Sequence, residues 1–506
     1  MTDISFYLIW RNQYIRKLIR NLLCQDLVIN VNDKYLNEYH RHLSLFTLQD
    51  KIDYKICVRF NSTFNNYVNN KYKSLVNEIA LEVDIDGVAD YNLNLLEHGL
   101  TTLTLGIKNM TTASGQLPES LRRLDINIYE RECESPPLLQ HILSNLPCNL
   151  EMLCIPYQYE MTRECVLPQS LCELYYCSRY QSLGKFVAPP AKVYKGCALE
   201  LDSMDAFRWM VENPWVREIS YNRDLDFKDK VLPPHISAIK IEQGINLDQS
   251  VLPKMLESLF IYEGIHFSKL AYLRVLDLSH DYPVKLEKGI FPQSLETLSM
   301  DYDLPIEIEV FSPNLHTLHL RTFNQPLCAG SLPDSITILY LSFFNHPLQL
   351  CSLPSRLKVL SMRNYKQASI SSLPSSLTSL CISSFAGSFQ PSCAPLNRLK
   401  KLLIRSIDPT LSTTLLTNLK RIKISVSQLQ SDTSFLNTSL ESLHLTCHQK
   451  CTLSANSLPP TLKYLTLTNT DIQSNNVVPP SCTYLKSCNQ DINPQFIPQC
   501  VTYIKL

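Results

Sequence analysis

Glycine is scarce, at 11 residues in 506. Folds that cradle a nucleotide need glycine where the backbone meets phosphate, and neither GxxxxGKS/T nor GxGxxG occurs; HExxH and GxSxG are missing too. Net charge is also lacking, with 47 Lys and Arg against 47 Asp and Glu, so the chain as a whole has no field to draw a polyanion. No run approaches the ~18 uncharged apolar residues of a membrane span. The apolar N-terminus is interrupted by Arg11, Asn12 and Arg16, with no small-residue cleavage site after it, and does not read as a secretory signal. The 18 cysteines lack framework spacing. Many of them, such as Cys482, stand where a repeated pattern has an apolar residue, so they read as free thiols packed as small hydrophobes. A reducing, cytoplasmic setting is the expectation.

Leucine is abundant instead, at 81 residues, and it recurs. LPESLRRLDI from Leu117, LPKMLESLFI from Leu252, FPQSLETLSM from Phe291, LPSRLKVLSM from Leu353 and LPPTLKYLTL from Leu458 are copies of one pattern. Its third apolar residue falls at Leu256, Leu273, Leu295, Leu315, Ile336, Leu357, Leu377, Leu399, Leu419, Leu440 and Leu462, a period of about 21 residues. In the LxxLxL core, alternation puts apolar side chains on one face of a short strand. Proline stands at the strand entrance, where a missing N–H is tolerated. A single unit cannot bury its apolar edge, whereas stacked units share one core. A 21-residue unit has room for a strand and turns but not for a full helix. The expected fold is a leucine-rich-repeat solenoid, a horseshoe with a parallel β-sheet on its concave face and short turns or extended chain on its convex side. About twenty units would fill residues 51–506, irregular at 196–230, behind a helical N-terminal cap at 1–50.

Residues 323–354 read FNQPLCAGSLPDSITILYLSFFNHPLQLCSLP. This closely resembles the FNIP repeat, a leucine-rich-repeat variant expanded in social amoebae and found in giant viruses. The resemblance rests on Phe323-Asn324-Gln325-Pro326-Leu327, Gly330, Leu332-Pro333 and Ser335-Ile336, with Phe344-Asn345-His346-Pro347-Leu348 opening the next unit. Elsewhere only the LPxSLxxLxL half survives. The resemblance implies an interaction protein and is nearly silent on chemistry; from the residues themselves no catalytic residue or cofactor is assigned.

Residues 1–45 lie outside the period. Tyr14/Ile15, Leu18/Ile19 and Leu22/Leu23 recur at helical spacing among Arg11, Arg16, Lys17 and Arg20, which predicts an amphipathic helix covering the first repeat. Some FNIP proteins resemble F-box adaptors, and IRKLIRNLLCQDLVINVNDKYL loosely resembles the second half of that motif, without its opening Leu-Pro. The alternative implied is a substrate receptor that docks a ubiquitin-ligase adaptor. A basic helix on a membrane surface is a third reading. Asp202 or Ser203 is placed to cap a short helix running through Asn213, with Trp209 and Trp215 in a local aromatic core. VDIDG at 83–87 lacks the further carboxylates of a calcium loop. At the C-terminus, Val501, Ile504 and Leu506 are expected to face the core.

HLTCHQKC gathers His444, Cys447, His448 and Cys451 within eight residues. The register sends His444 outward and leaves Cys447 and His448 in the following turn, too crowded to wrap one tetrahedral ion. No metal site is assigned, and no local setting marks a nucleophile.

Charge is more informative. With the first Leu of LxxLxL as position 1, positions 2, 3, 5 and 7 should face the concave solvent. From Arg356 to Lys423 there are eleven bases and one acid, Asp408. Eight of the bases are concave: Lys358, Arg363, Lys400, Lys401, Arg405, Lys420, Arg421 and Lys423. From Glu242 to Glu309 there are twelve acids against five bases, with Glu257, Asp277, Glu296 and Asp301 concave. A balanced total thus hides a sheet that is acidic at mid-array and basic beyond it. The basic stretch predicts a docking face for a protein with an acidic surface. Nucleic acid is disfavoured, because no aromatics interleave the bases.

Overall fold

The computed structural model describes residues 12–81, 90–107, 112–128, 137–157, 159–221, 231–242, 249–261, 267–281, 285–390, 396–405, 419–426, 435–436, 438–488, 492–499 and 501–505. VDIDG at 83–87, Asp408 and Leu506 fall outside these. The chain divides into two compact units, Met1–Asp226 and Phe227–Leu506.

In the first unit the sheet strands are Val28–Val31, Cys57–Ser62, Glu78–Leu81, Thr102–Ile107, Arg123–Ile128, Met152–Cys154, Glu173–Ser178, Lys195–Leu201 and Glu218–Tyr221. Consecutive strands pair in parallel, beginning with Val28–Val31 against Cys57–Ser62. The segment read as a helical cap therefore contains a strand of the sheet. Its first helix, Gln13–Leu23, also lies the other way round from the expectation. Asn21 is 1% exposed, while Tyr14 and Leu23 are 73% and 81% exposed. The cause is Asp50, a buried carboxylate in the capping box of helix Leu48–Asp53. Lys17 at 3.2 Å, Arg20 at 3.4 Å and the Asn21 amide at 2.8 Å all converge on it. Turning the polar face inward satisfies that charge, and the apolar edge is left outside. Burial raises the Asp50 carboxyl, but hydrogen bonds with Thr47 first, and then with Lys17 and Asn21, hold it down at about 2.

Helix Met204–Glu212 is where the sequence places it. The Ser203 hydroxyl accepts from the Ala206 N–H at 3.2 Å, and Asn213 closes the helix. Trp215 meets Trp209, Tyr194 and Phe186 edge-on at 6.0, 6.0 and 6.4 Å, the local aromatic core expected there.

Among the described residues of the second unit, fourteen strands form its main sheet: Ala238–Ile241, Ser258–Ile261, Val275–Asp281, Thr297–Asp301, Thr317–Leu320, Ile338–Leu341, Val359–Ser361, Ser379–Ile382, Lys401–Ile404, Arg421–Val426, Ser442–Leu453, Tyr464–Ile472, Tyr484–Cys488 and Thr502–Lys505. Each pairs in parallel with the next. The middle Leu of LxxLxL stacks in register, Leu298 on Leu318, Leu339, Leu360, Leu380 and Leu402, all at most 3% exposed. Each unit is a leucine-rich-repeat β-solenoid.

The repeated letters each have a physical task. The Ser of LPxSL donates to the carbonyl of the preceding unit's first Leu: Ser335 to Leu315, Ser376 to Leu357, Ser294 to Leu273 and, in the first unit, Ser120 to Leu100, each at 2.7 Å. It satisfies a backbone acceptor that the strand ladder leaves over. The FNIP Phe builds a spine of wholly buried rings. Phe323 stacks on Phe344 at 6.3 Å, Phe344 on Tyr365 at 6.2 Å, and Tyr365 meets Phe385 at 5.8 Å. Gly330, at φ +80°, takes a left-handed turn position that Glu309 and Cys351 occupy at +64° and +60° in adjacent units; only glycine does so without a Cβ penalty.

The FNIP Asn forms a ladder. The Asn345 N–H donates to Asn324 Oδ1 at 2.9 Å, the Asn324 N–H to Asp303 Oδ1 at 2.7 Å, and the Lys366 N–H to Asn345 Oδ1 at 2.7 Å. Asn345→Ala should therefore lower stability by about 1 kcal/mol through the unpaired Lys366 N–H. Asn345→Asp should be nearly neutral, since Asp303 already fills the same place. Urea unfolding of the two variants checks this, and equal losses would refute the ladder.

The last strand departs from the repeat. Tyr503, not Ile504, lies opposite the core residue Leu485, and Ile504 lies opposite Lys486. By backbone register the strand is therefore one residue off the count that put Val501 and Ile504 at inward positions; Leu506 lies outside the described residues. The Tyr503 hydroxyl accepts from the Ile492 N–H at 3.3 Å, a contact that an aliphatic side chain there would not make.

Candidate functional site

Side chains at positions 3 and 5 leave the sheet on the face opposite the leucine core, and the register sets them in rows. In the basic part of the second unit the position-3 row runs Lys401, Arg421, Ser442, Tyr464, Tyr484, and the position-5 row runs Leu403, Lys423, His444, Thr466, Lys486. Lys400 and Lys420 are neighbours at position 2, joined by a backbone hydrogen bond of 3.0 Å. The fold thus brings Lys400, Lys401, Lys420, Arg421 and Lys423 together, with Arg405 at the end of its strand. Lys358 and Arg363 stand apart, across the strand Ser379–Ile382, whose outward residues Thr378, Ser379 and Cys381 are uncharged.

Lys358, Arg363, Lys400, Lys401, Arg405, Arg421 and Lys423 are exposed, and Lys420 is half-buried. Among the described residues no carboxylate forms an ion pair with the seven exposed ones. Lys420 differs, because Glu441 takes it at 3.0 Å and Lys463 at 3.4 Å. The hydrogen bond from Lys420, then the charge of Lys463, holds the Glu441 carboxyl below its ordinary range. Lys401 and Arg421, directly opposite each other, repel. A face with unpaired, facing like charges is suited to an anion.

The acidic stretch behaves differently, since several of its acids are neutralised at home. Arg274 forms a two-pronged pair with Glu296 at 3.0 and 2.9 Å. Arg321 gathers Asp301 at 2.6 Å, Asp277 at 3.1 Å, Ser299 Oγ at 2.7 Å and the Leu278 carbonyl at 2.6 Å. Lys285 and Lys288 hold Glu307 and Glu309. These five paired acids tie successive units together, whereas the seven exposed cations of the basic stretch carry no such pair among the described residues.

His444 is half-buried in the position-5 row. Burial first, and then the charges of Lys423 and Lys486, hold its imidazole below the ordinary histidine value. Cys447 does not lie in a turn as expected, because the strand continues through it: Cys447 pairs with Val426 and is wholly buried. Its thiol accepts from Thr470 Oγ1 at 3.4 Å, and burial pushes it up to about 12. Among the described residues, no three His, Cys, Asp or Glu side chains converge in a manner that would hold a metal ion. None of the fifteen described cysteines forms a disulfide.

Sequence reasoning missed Arg321, Lys463, Tyr464, Tyr484 and Lys486 as part of these rows. The signal was available: the same position count, carried past Lys423, lands on Lys463 at 2, Tyr464 at 3 and Lys486 at 5.

Comparison with known proteins adds a family. Residues 302–343 and 344–385 match the model of the FNIP Repeat. The chain carries FNIP repeats. The two matched segments hold the ring spine and the asparagine ladder. No curated protein matches the sequence. Among solved structures, the chain is similar to CroV588, described as a circular leucine-rich-repeat protein, at 19% identity and a TM-score of 0.38, covering 95% of this chain and 69% of that one. It is similar to YopM from Yersinia enterocolitica at 19% identity and a TM-score of 0.33, covering 92% and 94%. A third is the plant peptide hormone receptor RGFR1, solved with RGF2, at 14% identity and a TM-score of 0.37, covering 90% and 75%. No helix among the described residues is long and apolar enough to cross a membrane.

Proposed function

We propose that this FNIP-repeat protein is a non-enzymatic scaffold of the cytoplasm that binds another protein through the concave face of its second unit. The partner presents an acidic surface, and Lys400, Lys401, Arg405, Arg421 and Lys423 are its principal contacts. The carrying observation is that these cations share adjacent strands and lack carboxylate partners among the described residues, while Asp277, Glu296, Asp301, Glu307 and Glu309 in the acidic stretch are paired. Leucine-rich-repeat solenoids generally serve as protein-interaction scaffolds, which fits this reading. Capture of the partner should weaken as salt rises from ~0.05 to ~0.5 M; salt-independent capture would contradict it.

Proton linkage supplies a second test. The unfolded chain takes up a proton at His444 near pH 6.5, whereas the free folded protein does so only at lower pH. His444 therefore subtracts stability as pH falls through that window. Carboxylates laid over the row oppose Lys423 and Lys486 and favour the imidazolium, so the complex takes up a proton. Partner affinity should rise several-fold between pH 7.5 and 5.5, and His444→Gln should flatten the slope. An unchanged slope places His444 outside the interface.

A second reading, a substrate receptor for a cullin–RING ubiquitin ligase, is favoured by one observation: the outward apolar edge of helix Gln13–Leu23, with Tyr14, Leu22 and Leu23 exposed. Removing residues 1–45 would also strip strand Val28–Val31 from its neighbour, so Leu22→Glu/Leu23→Glu is the cleaner test. Loss of a co-purifying adaptor with this variant alone would support the receptor reading.

A further inference from the structure

Tyr464 is 45% exposed on the same row as Lys401 and Arg421, and its ring packs against that of Tyr484 at 6.3 Å with a 52° tilt. The row therefore has two blocks, cations at one end and phenol rings at the other, with Ser442 between. From this arrangement we infer that the face takes an extended polypeptide whose acidic run is followed by an aromatic residue, the acids lying over Lys401, Arg421 and Lys423 and the ring over Tyr464. The inference rests on the concave-face reading and names the partner's local chemistry.

Geometry sets the spacing. Adjacent strands lie about 4.8 Å apart and an extended chain advances about 3.3 Å per residue. Arg421 and Tyr464 are two strands apart, about 10 Å, so the aromatic residue follows the last acid by about three positions. Tyrosines with exposed rings contribute strongly at interfaces, because they bury large area with few rotors.

The same ingredients, cations and rings, are used to hold single-stranded nucleic acid, and the arrangement argues against it here. A nucleotide strand repeats phosphate and base together, so its groove alternates cation and ring. On this row they are segregated. Glu441, clamped between Lys420 and Lys463, also interrupts the position-2 row where a phosphate track would run.

The test uses the full chain and fluorescence anisotropy with three labelled probes: a peptide with an acidic run and Phe three residues later, the same peptide with Ser for Phe, and a single-stranded oligouridylate. The Phe peptide should bind about tenfold more tightly than the Ser peptide, the effect of one interface aromatic. Tyr464→Ala should erase that difference while leaving the Ser peptide's affinity unchanged, and Tyr464→Phe should preserve it. Lys401→Glu/Arg421→Glu should weaken both peptides. Equal affinity of the two peptides for the wild-type protein overturns the aromatic subsite and leaves the acidic docking face standing. Failure of both peptides to bind overturns the docking face itself. Tighter binding of the oligouridylate, sensitive to Tyr464→Ala, assigns the face to nucleic acid and overturns the inference.

Discussion

Phe344→Ala should destabilise the second unit by about 3–5 kcal/mol, the loss expected when a fully buried ring leaves a cavity that its surroundings cannot close. Phe344 is 0% exposed and stacks between Phe323 and Tyr365. Both neighbours belong to other units, so the cavity opens at two inter-repeat contacts together. The adjacent Phe343 is 55% exposed, and Phe343→Ala should change stability by less than about 0.5 kcal/mol. Chemical denaturation of the two variants, with hydrogen exchange to locate the loosened units, measures the contrast. Similar losses would mean that the ring spine is not what couples these repeats.

The second large effect is on binding. Lys401→Glu/Arg421→Glu/Lys423→Glu should reduce affinity for an acidic partner roughly 100-fold, at about 1 kcal/mol for each exposed charge reversed. Folding should survive, because the substitutions exchange one like-charge pair for another at exposed positions 401 and 421 and touch no core side chain. Lys358→Glu/Arg363→Glu should have a much smaller effect, since an uncharged strand separates these two from the cluster. Lys420→Glu alone would place a second carboxylate beside Glu441, so its effect mixes repulsion inside the protein with the loss of a contact. It is the poorest single probe of the surface.

Much of this architecture is legible in the sequence because a solenoid is built from local periodicity. The LPxSLxxLxL pattern specifies strand, inward leucine and turn one unit at a time, and the parallel register follows from stacking identical units. The outward placement of Lys401, Arg421 and Lys423 is read the same way, since period and alternation together fix which side of the strand positions 3 and 5 take. What was not legible depends on contacts across units or on single buried charges. Asp50 turns helix Gln13–Leu23 around, and nothing in the spacing of Tyr14, Leu18 and Leu22 reveals a carboxylate that needs cations 30 residues away in the chain. Arg321 draws Asp277 and Asp301 from two different units, so a count of acids along the sequence overstates the free negative charge of the mid-array. In the last strand Tyr503, and not Ile504, stands opposite Leu485, with its hydroxyl accepting from the Ile492 N–H, and the LxxLxL count alone gives no sign of that offset.

The most direct measurement is affinity purification from native cytosol with the full-length wild-type chain and the full-length Lys401→Glu/Arg421→Glu/Lys423→Glu variant in parallel, with circular dichroism showing both folded. The account predicts that proteins with acidic segments are captured by the wild type, are released by salt, and are absent from the variant. An identical set of captured proteins with both chains would contradict it, leaving the basic rows as a solvated face and moving the binding surface elsewhere.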